Sequence, residues 1–131
     1  MILVDTSVWI DHFRGDGPPE AARLARALDE NEDICICGLI WTEILQGIGS
    51  DRQHRRVKRS LGGLIYLPLD RRGHTLAADI YRRARRAGKT IRNTTDCIIA
   101  ACAIAHNVPL LHRDRDFDTI ASVSKLRIVR P

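Results

Sequence analysis

Ile2-Leu3-Val4-Asp5-Thr6-Ser7 decides how this chain is read. Three consecutive apolar residues read as a strand buried on both faces, as the strands of parallel sheets are. Asp5 stands where that strand stops, and Thr6 or Ser7 is predicted to cap a short helix through about Phe13. In an open parallel sheet, ligands bind outside the carboxyl ends of the strands. A carboxylate at the end of the first strand therefore raises the question of what else reaches the same edge.

The pattern continues outward from this start. Arg14-Gly15-Asp16-Gly17-Pro18-Pro19 reads as a loop, and Ala21, Leu24, Ala25 and Leu28 then recur at helical spacing. Residues 33–37 read as a second strand, followed by a helix over about 39–48 and a basic helix over 51–61. A third strand, 64–67, ends at Pro68. The helix predicted over 71–88 lines one face with Leu76, Ile80, Ala84 and Ala87, keeps Arg82, Arg83, Arg85 and Arg86 mainly outside it, and is stopped by Gly88. Thr94 or Thr95 caps the next helix, 96–106, which is apolar nearly all round and so reads as the most buried. Residues 109–112 form a fourth strand, 116–121 a short helix and 126–129 a last strand. Strands alternating with helices give an α/β fold: a three-layer sandwich with a mostly parallel central sheet of four to five strands, in a single domain over 1–131.

The composition narrows the function classes. The 131 residues carry 21 Lys and Arg against 16 Asp and Glu, a formal net charge of +5. Such a balance favours nucleic acid, an acidic partner or an anionic surface. The basic residues are nearly all Arg, with only Lys58, Lys89 and Lys125 as lysines, and the guanidinium fork suits phosphate. With 2 Phe, 2 Tyr and 2 Trp, aromatic stacking on bases is not the main mode of recognition. Cys35, Cys37, Cys97 and Cys102 show no CxxC spacing and read as small buried hydrophobes of a reducing cytoplasm. No leader and no apolar run of membrane-spanning length is visible, so a cytoplasmic location is expected. The five histidines lack zinc spacing, and neither Gly-rich nucleotide loop is present.

Three more acids share the placement of Asp5 or border it. Asp96 opens the apolar run 97–104, Asp114 follows the strand Pro109-Leu110-Leu111, and Glu43 lies in the helix 40–45. Each has an ordinary reading: Asp5 as a turn or cap residue, Asp96 as a helix-dipole partner, Asp114 and Asp116 as solvated loop acids. Glu43 falls off the apolar face made by Ile40, Trp41, Ile44, Leu45 and Ile48, as any surface glutamate would. Together they predict carboxylates crowding one edge, where either their pKa values rise or a divalent cation sits between them. Oxygen-only ligands favour Mg²⁺ or Mn²⁺, and such sites hydrolyse phosphodiesters.

These segments resemble the PIN-domain family, and within it the VapC-type toxins of VapBC toxin–antitoxin modules. The resemblance rests on Ile2 to Ile10, on Glu43 within 41–47, on Asp96 within 96–101 and on 110–117, and it spans the whole chain. It implies a Mg²⁺-dependent endoribonuclease, with Mn²⁺ able to substitute, that cleaves RNA to leave a 5′-phosphate and a 3′-hydroxyl. It implies that Asp5, Asp96 and Asp114 hold the main metal, that Glu43 holds a second metal or orients water, and that Asp116 is an auxiliary acid. Thr6 or Ser7 would bond Asp5 or a phosphate oxygen, and Arg113 and Arg115, flanking Asp114, are candidate phosphate contacts. Relatives commonly carry Thr or Ser where this chain has His112. A homodimer and a VapB-type antitoxin, its C-terminal segment covering the acidic pocket, are further implied.

Two competing classes are set against this one. A catalytically silent binding module of the same fold would gain nothing from a pocket of carboxylates facing anionic RNA. A DNA-directed nuclease of the flap-endonuclease group would need insertions that a chain of this length lacks. The arginine runs 52–59 and 82–92 read either as a steering surface for RNA or as solvated helix faces.

Overall fold

The computed structural model describes residues 1–15 and 17–131; Asp16, in the predicted loop, lies outside the described residues. Among them run β1 (Ile2–Val4), α1 (Thr6–Arg14), α2 (Pro19–Asp29), β2 (Ile34–Cys37), α3 (Gly38–Gln46), α4 (Asp51–Leu61), β3 (Ile65–Leu67), α5 (Arg71–Arg86), α6 (Thr94–Ala105), β4 (Leu110–Leu111) and α7 (Arg115–Ser122). All strand pairs are parallel, in the order β3-β2-β1-β4. The chain thus builds outward from β1 through β2 to β3, then returns to the other side of β1 for β4. The reversal places a topological switch point between β1 and β4, where open α/β sheets make their binding crevice. Leu3 pairs with Cys35 on one side and Leu110 on the other.

Short strands suffice because every residue of β1, β2 and β4 is buried. The helices flank the sheet and close its faces, with α5 packed along α6 and α1 along α2. In α6, Cys97, Ala100, Ala101, Cys102 and Ala103 are all fully enclosed, which agrees with its nearly uniform apolar sequence. All four cysteines are buried and free. No helix among the described residues is long and apolar enough to cross a membrane.

Local differences from the sequence reading have physical reasons. The cap of α1 is Asp5 itself, with Thr6 already helical: a carboxylate one position earlier reaches the free N–H of Ser7. The helix carrying Asp96 starts two residues sooner than predicted, so its cap position falls to Asn93 and Asp96 sits within its first turn. The predicted last strand is reduced to one parallel bridge, Leu110 to Ile128, because two-residue β4 offers no longer partner. Gly88, at φ +71°, takes the left-handed conformation just past α5, as a helix-stopping glycine should.

Phe117 is fully buried in the first turns of α7 and fixes that helix, which carries Asp116, against the core. Phe117→Ala is expected to cost about 3–5 kcal/mol of stability, measured as a lower urea midpoint with the slope unchanged.

Candidate active site

The carboxyl edge at the switch point gathers the acids. The N–H of Asp5 donates to Leu111 O at 3.0 Å, which sets the end of β1 beside the end of β4. Asp5 Oδ2 accepts from the Ser7 hydroxyl at 2.9 Å and, more loosely, from the Ser7 N–H at 3.5 Å. Asp114 caps α7 in the same way, its Oδ1 accepting from the Asp116 N–H at 2.9 Å. Asp96 is buried in the first turn of α6. The positive ends of three helices therefore face these carboxylates, which favours their charged forms.

Asp96, Asp114 and Asp116 each offer one oxygen such that all three lie within 4.8 Å of one another. Asp116, read from sequence as auxiliary, belongs to this tightest set, whereas Asp5 and Glu43 border it. Asp96 Oδ2 is buried and has no hydrogen-bond partner. An orphaned carboxylate oxygen aimed among other carboxylates is costly unless protonated or bound to a cation. The donor set, all oxygen and all anionic, fits a hard divalent cation.

Glu43 differs from its helical-wheel reading. It is half-buried, and Oε1 accepts from the Thr6 hydroxyl at 3.2 Å. Thr6 and Ser7, adjacent in sequence, thus serve Glu43 and Asp5 respectively. The wheel missed this because it measures a residue against its own helix, while Glu43 is placed by the packing of α3 on α1.

The electrostatics follow from crowding. Burial pushes the Asp96 carboxyl up to about 7, with the charges of Asp114, Asp5, Asp116 and Glu43 adding to the shift. Burial also raises Asp5, opposed by its bonds from Ser7 and Thr6. Glu43 is raised by burial and then by the Asp5 charge.

The basic candidates separate. Arg113 Nε lies 3.0 Å from Asp11 Oδ2, an ion pair that ties the loop after β4 to α1, so this guanidinium has a protein partner. Arg115 opens α7 with an exposed side chain. His112 is buried, and its Nδ1 accepts the Asp114 N–H at 3.0 Å, which places the ring proton on Nε2, 3.3 Å from Asp118 Oδ1. Sequence reasoning placed Arg92 only within a basic run. In the structure Arg92 donates from Nε to Asp116 Oδ2 at 3.0 Å and from Nη2 to Asp114 Oδ1 at 3.1 Å. The signal available in sequence was its position just ahead of the helix that carries Asp96.

The raised Asp96 carboxyl makes metal-free stability depend on pH. Folded, Asp96 keeps its proton to about pH 7; unfolded, it loses it near the ordinary value of 3.8. The folded state binds the extra proton in that window, so the contribution of this group to stability falls as pH rises through it. Asp96→Asn in EDTA is expected to melt above the wild type, by more at pH 8 than at pH 5. The pH 8 gain should be at least about 1 kcal/mol, since one pKa unit corresponds to about 1.4 kcal/mol.

Comparison with known proteins agrees with this geometry. The PIN domain profile matches residues 2–123. Ribonuclease VapC11 of Mycobacterium tuberculosis is 44% identical over 129 residues, covering 97% of this chain and 96% of that protein. Ribonuclease VapC18 of the same organism is 31% identical over 127 residues, covering 95% and 90%. Among solved structures, FitAcB from Neisseria gonorrhoeae superposes with a TM-score of 0.74 at 25% identity, covering 99% of this chain and 97% of that one. VapBC2 from Rickettsia felis superposes with a TM-score of 0.75 at 18% identity, covering 98% of both chains. With its acids at the switch point and its profile matched almost from end to end, the chain belongs to the PIN-domain family, in the VapC branch.

Proposed function

We propose that this protein is a divalent-metal-dependent endoribonuclease, the toxin of a type II toxin–antitoxin pair. The observation that carries the reading is the buried, unpartnered Asp96 Oδ2 inside a cluster of carboxylates at the sheet's switch point. The names of the VapC relatives support RNA as the substrate.

Asp96, Asp114 and Asp116 would hold a Mg²⁺ or Mn²⁺ ion, with Asp5 reaching it directly or through water. A bound ion supplies water of lowered pKa and positive charge against the phosphate. Glu43, tied to Thr6, is the carboxylate left to orient the attacking water or help hold a second ion. Ser7 keeps Asp5 turned toward the pocket, and Arg115 is the exposed cation for a flanking phosphate. No histidine or lysine base is needed. In-line attack by water, with the 3′-oxygen leaving, gives a 5′-phosphate and a 3′-hydroxyl.

A groove of about 460 Å³, lined by Ile10, Phe13, Ile44 and Ile48, opens beside Glu43. Phe13 and Ile10 are exposed apolar residues there. A VapB-type antitoxin fits this chemistry, with an apolar segment in the groove and basic side chains over the carboxylates. A homodimer belongs to the same reading, as the family resemblance implies.

The test is cleavage of total bacterial RNA by the antitoxin-free protein in Mg²⁺, Mn²⁺ or EDTA. Discrete fragments are expected with either metal and none in EDTA, with Asp96→Asn slower by about 100-fold or more. RNA binding that ignores EDTA, without cleavage under any metal, would instead establish a silent binding module.

A further inference from the structure

Arg92 contacts two carboxylates of the acidic triad with three donors. Its main-chain N–H and its Nε both point to Asp116 Oδ2, at 3.3 Å and 3.0 Å, while Nη2 reaches Asp114 Oδ1 at 3.1 Å. The residue is held from behind: Gly88 turns the chain out of α5, and Ile91 is buried in the core. Asp116 is also buried, with a side chain only 6% exposed, so the acid end of this pair has little room to move, although the Arg92 side chain itself is 56% exposed. A surface ion pair between two exposed side chains lacks such a buried partner.

The bonds divide the carboxylate oxygens. Asp116 Oδ2 is committed to Arg92. Asp114 Oδ1 is shared between Arg92 and the cap bond from Asp116 N–H. Asp96 Oδ2 remains without a donor. Arg92 thereby engages one oxygen on each of two carboxylates of the cluster and lays one positive charge against it.

We propose that Arg92 is a built-in positioning residue for the metal: by anchoring Asp116 and Asp114 it selects their remaining oxygens as ligands and holds metal affinity below what the bare carboxylates would give. The inference rests on the metal-dependent reading above and assigns a residue that the four-acid pattern does not contain. Affinity and geometry are set in opposite directions. The guanidinium repels the incoming cation, yet keeps two of its ligands in place. Losing it should tighten binding and loosen alignment, a combination that loss of a merely structural contact does not produce.

The experiment is Mn²⁺ titration of the RNA-free protein, by electron paramagnetic resonance of unbound Mn²⁺, on wild type, Arg92→Ala and Arg92→Lys, beside their RNA cleavage rates. Thermal melting in EDTA checks that each variant folds, which an exposed side chain permits. Arg92→Ala is expected to bind Mn²⁺ about three- to tenfold more tightly, through loss of one nearby positive charge in a partly solvated site, and to cleave RNA more slowly at saturating Mn²⁺. Arg92→Lys retains the charge but not the fork; its affinity should stay near wild type while its cleavage stays low. Equal or weaker Mn²⁺ binding by Arg92→Ala, where the wild type binds, overturns the role of Arg92 alone. Absence of Mn²⁺ binding in both proteins overturns the metal reading and the inference with it. Full cleavage by Arg92→Ala also overturns the inference.

Discussion

Like charges must be kept together out of water at this sheet edge, and the fold is organised around that constraint. Two carboxylates a few ångströms apart in a poorly solvated pocket repel by several kcal/mol, on the order of 4 kcal/mol at 4 Å with an effective dielectric of 20. Part of the compensation is backbone. Asp5 and Asp114 are the cap residues of α1 and α7, and Asp96 lies in the first turn of α6. Asp5 and Asp114 are thus also local helix-starting devices, and all three helices direct their positive ends at the cluster. The balance remains incomplete at Asp96, where burial outweighs what the helix end supplies and the carboxyl rises to about 7.

Sheet order makes the convergence possible. Had β4 added beyond β3, the acid after β4 would stand at the far end of the sheet from Asp5. Because β4 returns to pair with β1, Leu111 O accepts the Asp5 N–H and the two caps become neighbours. The switch also gives α6 its position, since it runs into β4 and packs against α5. Alanine at positions 100, 101 and 103, each fully buried, lets neighbouring elements pack close around α6, whose main partner is α5.

What could be read from the sequence follows the same logic. Asp5, Asp96 and Asp114 stand out because each borders an apolar run, ending, opening or following it, and the helix and strand periodicities locate nearly every element. Glu43 and Arg92 were different. Glu43 stands out by resemblance alone, not by periodicity: what ties it to the site is its bond from Thr6, a residue 37 positions away, and no helical wheel contains that contact. Arg92 sits in a short connection, where neither 3.6 nor 2 residue periodicity says where a side chain points. The last strand shrinks to one bridge because its apolar alternation is genuine but β4 offers only two residues to pair with, and only Leu110 bridges Ile128.

His112 shows how one side chain distributes donors around the site. A hydroxyl at this position could donate to a neighbouring carboxylate. The imidazole accepts instead: Nδ1 takes the Asp114 N–H, and the ring lies 5.2 Å from that of Phe117. A ring nitrogen that accepts from the main chain cannot also donate to the Asp114 carboxylate. That carboxylate must find its donors elsewhere, and it finds them in the Asp116 N–H and in Arg92. His112 and Arg92 therefore form a complementary pair, one fixing the backbone of Asp114 and the other its side chain. With Arg113 drawn away to Asp11, the loop after β4 is held from three directions, leaving its carboxylates little freedom other than to face the pocket.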